Sequence, residues 1–443
     1  MIYFFYNILL IFFIILFAPL IGLVLLLRKK YRCGFFQKCG LMPKEMRAVL
    51  SDKNPIWIHA VSVGEVMATA PLIREIKKTY PDIPILLSTV TETGNFTARH
   101  NTRGADHVIY FPFDLNFIVA KMIRTVHPVL FVTLETELWP NFSRCLRLNH
   151  IPSMVVSGRI SSESFKSYRF FRFFFKKVLT NIDCFCMQTR TDAERIISIG
   201  AAPEKVTVAG NIKFDLQIPA ITDDEKKDLY KNLHISNRQT IFIAGSTHRG
   251  EEEIIIRVFS QLRGKKANLV LLLAPRHPER FDETADLLKK SGLPFVRKTD
   301  LAASPAIADK SVILLDTIGE LAKSYSIADI VFIGGSMVPV GGHNVLEPAV
   351  FSKPVIYGPY MDNFREMSKL LQEKKAAIQV RDTGEFIRQA RALLADRALR
   401  QKIGETAFAV IRENSGAVDK SMEALIKLMG NNQKFKDQSS NDK

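Results

Sequence analysis

Residues 330–348 read IVFIGGSMVPVGGHNVLEP, and this stretch decides the class of fold. Its first four residues form an apolar run bounded by glycine, which is typical of a buried β-strand. A second pair of glycines, Gly341 and Gly342, leads into a segment that predicts the start of a helix. Glycines between a strand and a helix let backbone N–H groups and the helix dipole approach a phosphate. The stretch therefore predicts a strand–loop–helix unit that binds an anion beyond the carboxyl end of its strand.

Two other apolar runs in this half of the chain end in comparable loops. Residues 240–244 precede GSTHRGEE, and residues 269–274 precede PRHPER. Arg276 adds positive charge in the second of these loops, and Glu347 is suited to accept hydrogen bonds from sugar hydroxyls. Because the carboxyl ends of parallel strands meet at one edge of a sheet, the three loops together predict a nucleotide site. Glycine is common in ordinary turns, so the convergence of three loops carries this prediction.

Short apolar runs alternate with helical patterns along the whole chain behind residue 27. The alternation stops at residues 217–224, QIPAITDD, and then restarts. Alternating strands and helices indicate parallel sheets covered on both faces. We therefore predict an α/β protein with two Rossmann-like domains, residues 28–216 and 217–430, facing a cleft and followed by a polar tail, 431–443. The predicted strands are 56–60, 83–89, 107–110, 129–134, 153–157, 184–188, 206–209, 240–244, 269–274, 312–315, 330–333 and 354–357, and the predicted helices include 66–80 and 116–126.

Residues 1–27 predict a membrane anchor. They contain no charged side chain, and four basic residues follow at once: Arg28, Lys29, Lys30 and Arg32. About 20 apolar residues suffice for a helix to span a bilayer. The stretch lacks the basic start and the small-residue cleavage site of a removable signal peptide. The positive-inside rule then predicts a single-pass anchor with the rest of the chain in the cytoplasm, and a buried core helix is the alternative.

The charge of the chain favours anionic partners. Its 443 residues include 61 Lys and Arg against 45 Asp and Glu, which gives a net charge of +16. No nucleic-acid-binding signature is visible, so beside an anchor we expect anionic membrane lipids rather than nucleic acid. Segment 165–177, FKSYRFFRFFFKK, puts Arg169, Arg172 and Lys176 on one predicted helical face among aromatic residues. Such a face suits a lipid surface, and a core helix with a solvated basic side is the alternative.

Several common chemistries lack their sequence signatures. The chain has neither a Walker A motif nor a G-x-G-x-x-G after its first strand, which disfavours ATP hydrolysis and NAD-linked redox chemistry. It also has no H-E-x-x-H, C-x-x-C or D-x-D motif, so we expect no cofactor and no metal. The five cysteines are odd in number and are interpreted as reduced thiols of a cytosolic protein.

Glu65 is the first candidate for chemistry in the amino-terminal half. The predicted strand 56–60 runs into Val61-Ser62-Val63-Gly64-Glu65 and then a helix. A carboxylate at such a corner can act as a general base. Ser62 and Glu65 also fit a capping box, in which both side chains only close the helix end, and the two readings are compatible. A nucleophile elbow at Ser62 would indicate a serine hydrolase, but two similar halves do not fit that fold.

Two further strand ends carry charged residues. The predicted strand 129–134 delivers Glu135 and Glu137 next to Trp139, which suggests a polar pocket with one apolar wall or, alternatively, solvated surface acids. Arg159 follows the predicted strand 153–157, where a guanidinium could hold a phosphate with two hydrogen bonds.

The series of motifs resembles the 3-deoxy-D-manno-octulosonic acid (Kdo) transferases of lipopolysaccharide synthesis, which are GT-B glycosyltransferases. The resemblance covers roughly residues 1–430 and includes the anchor. The motifs that carry it are, in order, His59-Ala60-Val61-Ser62-Val63-Gly64-Glu65, Leu134-Glu135-Thr136-Glu137-Leu138-Trp139-Pro140-Asn141, Gly210-Asn211-Ile212-Lys213-Phe214-Asp215, Ala274-Pro275-Arg276-His277-Pro278 and Gly341-Gly342-His343-Asn344-Val345-Leu346-Glu347-Pro348.

The resemblance implies transfer of one or more Kdo residues, with inversion, from CMP-Kdo to a hydroxyl of the lipid A precursor at the inner membrane. It implies that Glu65 is the base and that Glu135 and Lys213 stabilise the transition state. Acceptor phosphates would meet Arg159, Arg169 and Arg172. The implied CMP-binding residues are Pro275, Arg276, Ile318, Gly319, Glu320, Asn344, Val345, Leu346 and Glu347.

No metal, no cofactor and no obligate protein partner are implied by the resemblance. Two alternatives stay open. The chain could be a GT-B transferase that uses another sugar nucleotide, or a non-catalytic, membrane-tethered binder of anionic lipid or nucleic acid.

Overall fold

The computed structural model describes residues 2–27, 32–51, 53–102, 104–215, 221–264, 268–303 and 311–441. The chain divides into two compact units, Met1–Asp215 with Asn414–Lys443, and Leu216–Glu413. The predicted boundary after residue 216 lies next to the observed one, although residues 216–220 themselves lie outside the described residues, as does the basic flank at residues 28–30. The assignment of residues 414–430 to the second domain was wrong, because they belong to the first unit.

The last helix, Ala417–Asn441, explains this correction. Its Ala417, Val418, Met422 and Leu425 are buried in the same core cluster as the strands of the first sheet. These residues form an apolar stripe along one side of the helix, and such a stripe is stable only against another apolar surface. The helix continues through Asn441, so residues 431–441 of the predicted polar tail are helical.

The first unit is built on a seven-stranded parallel sheet, and the predicted strands of this half are confirmed to within two residues at each end. The spatial order is β3-β2-β1-β4-β5-β6-β7, which places β1 beside β4 where the order reverses. Ligands of open parallel sheets bind at such a reversal, beyond the carboxyl ends of the strands. The strands are β1 (Ile56–His59), β2 (Ile85–Thr89), β3 (His107–Tyr110), β4 (Leu130–Leu134), β5 (Ser153–Gly158), β6 (Cys184–Met187) and β7 (Val206–Val208).

Helices cover both faces of this sheet because its strands are apolar on both sides. Ile58 and Trp57 alternate along β1, and each is fully buried in a different core cluster, one on each face. The helices are Ile2–Leu27, Phe35–Lys38, Lys44–Ser51, Val63–Thr79, Glu92–Asn101, Asn116–Val126, Pro140–Leu148, Ser162–Phe170, Arg172–Leu179, Arg190–Ile199 and Ala417–Asn441, with short 3₁₀ turns at Pro203–Lys205 and Ile212–Phe214.

The second unit repeats this plan with the strand order β10-β11-β9-β8-β12-β13-β14, all parallel. The five predicted strands are confirmed. The edge strands β10 and β14 were not predicted, because they are short and only half-buried and so lack a long apolar run. The strands are β8 (Thr240–Thr247), β9 (Leu269–Pro275), β10 (Phe295–Arg297), β11 (Val312–Leu314), β12 (Ile330–Ile333), β13 (Val355–Tyr357) and β14 (Ile378–Gln379).

The helices of the second unit pack on both faces of its sheet. They are Asp223–Asn232, Glu251–Arg263, Phe281–Ser291, Leu321–Ser324, Leu346–Ala349, Arg365–Glu373, Thr383–Ala395 and Arg397–Asn414, with 3₁₀ turns at Pro278–Arg280, Lys298–Ala303, Tyr325–Ile327 and Asp362–Phe364.

The amino-terminal helix is long and apolar enough to cross a membrane over Ile2–Leu20, by length and composition. Its start nevertheless contacts the first unit. The Tyr6 hydroxyl donates to Asp114 Oδ2 at 3.0 Å, and the side-chain amides of Asn7 and Asn141 exchange two hydrogen bonds of 3.0 and 2.9 Å. The membrane anchor over residues 1–27 stays a prediction, and the polar side chains at the start of the helix are bound to the folded unit.

Segment 165–177 also differs from its prediction. It forms two helices, Ser162–Phe170 and Arg172–Leu179, separated at Phe171. The break interrupts the helical periodicity, so Arg169 and Arg172 do not belong to one continuous helical face as predicted. Both arginines are exposed, and Phe170 and Phe173 beside them are 78% and 67% exposed.

Candidate active site

Glu65 lies in the first turn of the helix that follows β1, and its carboxylate is held at the helix start. The Val61 N–H donates to Oε2 at 2.8 Å, and the Ser62 hydroxyl donates to Oε1 at 2.9 Å. Ser62 also caps the helix by accepting from the Glu65 N–H at 3.4 Å. The capping interpretation is therefore correct, and it holds the carboxylate in one orientation without excluding a catalytic role.

The environment of Glu65 disfavours its charged form. Its side chain is buried, with 7% of its surface exposed. This burial, together with the negative charge of Glu135, raises the pKa of Glu65, whereas the two hydrogen bonds and the charge of Lys213 act in the opposite direction. A carboxylate whose pKa is moved toward neutrality is a stronger base than an exposed one.

Glu135 forms an ion-pair network with two cations. It follows β4 directly and has a left-handed backbone with φ of 54°. Lys213 Nζ lies 2.9 Å from Oε1, and Arg159 Nε lies 3.0 Å from Oε2. The side chains of Glu135 and Lys213 are only 17% and 19% exposed, so solvent screens their interaction less than it screens a surface pair. The structure thus brings together the three predicted residues Glu135, Arg159 and Lys213, and the charge of Glu65 acts on the same group.

The turn that carries Lys213 is fixed from several sides. The Ser157 hydroxyl, near the end of β5, accepts from the Ile212 N–H at 3.0 Å, and Asn211 Oδ1 accepts from the Lys213 N–H at 3.0 Å. Gly210 has φ of 106°, and a Cβ there would lie 3.3 Å from Cβ of Ala417 in the last helix. The last helix therefore contributes to the position of Lys213 although it is about 200 residues away in the sequence.

Glu137 is a further member of this group, and the resemblance gave it no role. Burial raises its pKa to about 7, and the charges of Glu65 and Glu135 add to this effect. It borders a small cavity of about 20 Å³ whose other walls include Trp139, Phe142 and Thr133. The predicted apolar wall therefore lies beside Glu137, whereas Glu135 is not among the residues that line this cavity.

The remaining predicted acceptor residues are not part of this group. No hydrogen bond or ion pair among the described residues joins Arg169 or Arg172 to Glu65, Glu135 or Lys213. Their helices nevertheless lie close by, since the charge of Glu137 contributes to the raised pKa of Tyr168.

In the second unit, the loop after β12 is closed by a buried carboxylate. Glu251, fully buried, accepts hydrogen bonds from the N–H groups of Gly335, Ser336 and Met337 at 2.6, 3.0 and 2.8 Å, and from the His248 N–H at 2.9 Å. A Cβ on Gly334 would lie 2.2 Å from the Ser246 carbonyl, which explains the glycine. The expectation that this first glycine pair offers its N–H groups to a phosphate was therefore wrong, because Glu251 accepts the Gly335 N–H and the Gly245 carbonyl accepts the Gly334 N–H.

A pair of stacked histidines lies beside this loop. Nε2 of His248 and Nε2 of His343 are 2.8 Å apart, so one must donate and the other accept a hydrogen bond. Burial and neighbouring cations, including Arg276, lower the pKa of His248 to about 4 and that of His343 to about 3. Both rings are therefore neutral at neutral pH. Both histidines lie in loops that the sequence singles out, but the sequence alone predicted no role for them.

The predicted CMP-binding residues differ in accessibility. Arg276 is exposed, and its charge acts on His343 and on Glu347. Glu347 accepts from the Asn344 side-chain amide at 3.3 Å, and burial raises its pKa. Pro275, Val345 and Leu346 are buried, and no surface of Val345 or Leu346 is exposed.

The turn Ile318-Gly319-Glu320 follows β11, the neighbour of β9, so it lies at the same edge of the sheet as Arg276. Ile318 is 81% exposed, Gly319 has φ of 91°, and Glu320 accepts a short hydrogen bond from the Thr317 hydroxyl. Among the described residues, no group of three or more His, Cys, Asp or Glu side chains could hold a metal ion.

Comparison with known proteins supports the same family. The family described as "3-Deoxy-D-manno-octulosonic-acid transferase (kdotransferase)" matches residues 30–216. The chain is 37% identical over 409 residues to the 3-deoxy-D-manno-octulosonic acid transferase of Haemophilus influenzae, which covers 91% of this chain and 93% of that protein. It is 30% identical over 384 residues to the enzyme of the same name from Bordetella pertussis, covering 85% and 88%.

A similar solved structure is that of a putative UDP-N-acetylglucosamine 2-epimerase from Listeria monocytogenes. It has a TM-score of 0.51 and 13% identity, and it covers 84% of this chain and 96% of that one. At this identity the likeness shows the fold alone, which is the GT-B class with its two Rossmann-like domains. On the strength of its sequence relatives, which it matches over nearly their whole length, the chain belongs to the Kdo transferase family and is a glycosyltransferase.

Proposed function

We propose that the chain transfers Kdo from CMP-Kdo to a hydroxyl of the lipid A precursor, with inversion and without a metal, one or more times. The observation that carries this proposal is the group of Glu65, Glu135, Lys213 and Arg159 at the carboxyl ends of β1, β4 and β5 and the nearby 3₁₀ turn. In this group Glu65 is held by neutral hydrogen-bond donors, whereas Glu135 pairs with the two cations Lys213 and Arg159.

Glu65 acts as the base in this proposal. Among the described residues no cation bonds to either of its oxygens, and both oxygens accept hydrogen bonds that fix their direction. Deprotonation of the acceptor hydroxyl by Glu65 forms the nucleophile, which attacks the anomeric carbon as the bond to CMP breaks. A single displacement of this kind inverts the anomeric configuration. The proton ends on Glu65, whose raised pKa favours its uptake.

Lys213 binds negative charge of the donor, and Arg159 beside it binds negative charge of the acceptor. Kdo is itself a carboxylic acid, and CMP leaves as a phosphate. Glu135 holds both cations through bonds of 2.9 and 3.0 Å and so presents them in one arrangement before substrate arrives. Preorganised charge of this kind stabilises the transition state because the site need not reorganise. This supports the implied joint role of Glu135 and Lys213.

The second unit binds the CMP part of the donor. Arg276 supplies a positive charge for the phosphate, and the half-buried Glu347, fixed by Asn344, accepts hydrogen bonds from ribose hydroxyls. Because the phosphate leaves already ionised, no general acid is needed on that side. The neutral histidines His248 and His343 offer ring nitrogens rather than charge at this edge.

The acceptor is presented at the surface of the inner membrane, with both units on the cytoplasmic side. The exposed apolar side chains of the first helix and the exposed Phe170 and Phe173 suit insertion among lipids. Arg159, Arg169 and Arg172 supply positive charge toward acceptor phosphates and anionic lipid headgroups.

One experiment tests donor, acceptor and base together. The full-length protein in detergent is incubated with CMP-Kdo and lipid A precursor, and the product is analysed by mass spectrometry. We expect the acceptor mass to increase by one or more Kdo units. The Glu65→Gln variant should lose about 10²–10⁴-fold in rate while it still binds CMP.

Glu75→Gln is the matched control, because Glu75 lies on the same helix and its partner Lys78 is exposed. If Glu65→Gln transferred Kdo at the rate of the unmodified chain, Glu65 would cap the helix without acting as the base. An unchanged acceptor mass with the unmodified protein would contradict the proposed pairing of CMP-Kdo with the lipid A precursor.

A further inference from the structure

The amino-terminal edge of the second sheet carries a basic pocket that the proposed transfer does not use. A cavity of about 340 Å³ opens there. Its wall includes Thr240 at the start of β8, Asp329 just before β12 and Lys353 just before β13. Five cationic side chains line it: Lys226, Arg238, Lys353, Arg397 and Arg400. Asp329 is the one carboxylate among the described lining residues.

This pocket is separate from the candidate nucleotide loops. Those loops follow the carboxyl ends of β8, β9 and β12, whereas the pocket lies at their amino-terminal ends. β8 has eight residues, and a strand rises about 3.3 Å per residue, so roughly 26 Å separates the two edges along β8. One small ligand therefore cannot occupy both places.

Asp329 does not neutralise the pocket. Its Oδ2 accepts from the Ile241 N–H at 2.9 Å, and its Oδ1 lies 3.6 Å from the Arg400 guanidinium. Lys226 pairs with Asp223, outside the lining, at 3.3 Å. Arg238, Lys353 and Arg397 have no carboxylate partner and no side-chain hydrogen bond among the described residues. Three positive charges thus face the same cavity without a bonded carboxylate among the described residues, and the nearby charge of Asp329 offsets part of that of Lys353.

The convergence of cations affects the charge state of Lys353. Its amine is half-buried, and burial and the charge of Lys226 lower its pKa, while Asp329 acts in the opposite direction. Cations that converge where solvent is partly excluded repel one another, and an anion between them relieves the repulsion. A phosphate group matches the donors present, because a guanidinium can bind it with two hydrogen bonds and an ammonium binds it as a point charge.

We propose that this pocket binds a small phosphorylated anion with at least two negative charges, at a site distinct from that of the sugar nucleotide. The cavity has room for a group of the size of pyrophosphate. The convergence of Arg238, Lys353 and Arg397 on one open cavity carries the proposal.

Calorimetric titration of the full-length protein with inorganic pyrophosphate tests it, with saturating CMP present to occupy the nucleotide loops. We expect saturable binding at one site. Lys353→Met and Arg397→Met should each weaken it at least about tenfold, which corresponds to ~1.4 kcal/mol. Arg397 is exposed, so its variant tests the pocket even if replacing the half-buried Lys353 impairs folding.

Two control variants separate this site from other sources of binding. Arg276→Ala removes a cation at the opposite edge of the sheet, and Lys369→Met removes an exposed lysine that pairs with Glu373 on a helix of the same unit. Both should bind pyrophosphate as the unmodified chain does. The proposal would be overturned if the unmodified chain did not bind pyrophosphate, or if Arg397→Met bound it as tightly as the unmodified chain. Loss of pyrophosphate binding in Arg276→Ala alone would overturn it as well. These outcomes do not depend on transfer activity, so they are distinct from failure of the proposed function.

Discussion

Glu65, Glu135 and Glu137 are three carboxylates of one small region that have different surroundings. Glu135 bonds to two cations, Glu65 is held by neutral donors, and Glu137 borders a largely apolar cavity. Burial and the charges of Glu65 and Glu135 raise the pKa of Glu137 to about 7.

The raised pKa of Glu137 predicts a pH-dependent stability. In the unfolded chain this carboxyl ionises near its ordinary value of 4.5, and in the folded chain near 7. Between these values the folded state binds more protons, so this group makes the protein less stable as pH rises. Glu137→Gln removes the effect. Its Tm relative to the unmodified chain should therefore be higher at pH 8 than at pH 5.

Thermal unfolding at the two pH values measures this difference. Glu373→Gln, at an exposed site in the second unit, is the control and should show the same Tm difference at both. A Tm difference for Glu137→Gln that does not change with pH would contradict the pKa.

Lys213 should be needed for the rate of transfer more than for folding. Lys213→Met leaves Glu135 bonded to Arg159 but removes the cation at 2.9 Å. Loss of one preorganised charge or donor typically lowers kcat by about 10²–10³-fold. Lys213→Arg should restore part of it, and Lys78→Met, on an exposed helix surface, should be neutral. Transfer assays with each purified variant measure this, and an unchanged kcat in Lys213→Met would contradict the assignment.

Among the helices and strands, the last helix makes contacts that its position at the end of the chain would not suggest. Asp215, at the end of the Lys213 turn, accepts hydrogen bonds from the N–H groups of Gly416 and Val418 at 2.6 and 2.5 Å. It thereby satisfies backbone donors at the start of Ala417–Asn441, as a capping residue does. The same turn therefore positions Lys213 and attaches the helix that completes the first core.

Asp215→Ala should loosen this attachment. Loss of a capping side chain costs about 1 kcal/mol, so the Tm should fall by a few degrees. Because the Lys213 turn also moves more freely, kcat should fall while CMP binding, which lies in the other unit, stays the same. Calorimetry and transfer assays measure the two effects. Asp228→Ala, exposed on the helix Asp223–Asn232, is the control, and an identical Tm in both variants would contradict the capping role.

At the scale of the whole molecule, the first helix has conflicting features. Its 26 residues extend about 39 Å at 1.5 Å per residue, which exceeds the roughly 30 Å of a hydrocarbon core. Yet Tyr6 and Asn7 bind Asp114 and Asn141 of the first unit. A helix with its start bound to the catalytic unit cannot place that start on the opposite side of the membrane. The length of the helix is sufficient to cross the membrane. The contacts of Tyr6 and Asn7 require that the start of the helix lies on the same side as the first unit.

The contacts predict that the amino terminus lies on the same side of the membrane as the catalytic units. An epitope tag at the amino terminus should resist protease added to intact spheroplasts and be digested in inverted inner-membrane vesicles. A carboxyl-terminal tag on the same protein reports the side of the catalytic units. Opposite behaviour of the two tags would show a full crossing and would contradict the Asn7–Asn141 contact.

Local pattern determined much of this protein in advance. The apolar runs predicted twelve of the fourteen strands, because a parallel strand buried on both faces must be apolar throughout. The strand ends also carried Glu65, Glu135, Lys213 and Arg276, and the motifs around them identified the family. The capping pattern at Ser62 also predicted the start of the helix that carries Glu65.

Tertiary structure alone decided which of these residues act on one another. The ion pairs of Glu135, the occupation of the loop after β12 by Glu251 and the basic pocket at Lys353 all join residues that are distant in sequence. The return of the last helix to the first unit was hidden for the same reason. A sequence pattern reports the periodicity of a segment, whereas burial, charge compensation and pKa depend on which other segments pack against it.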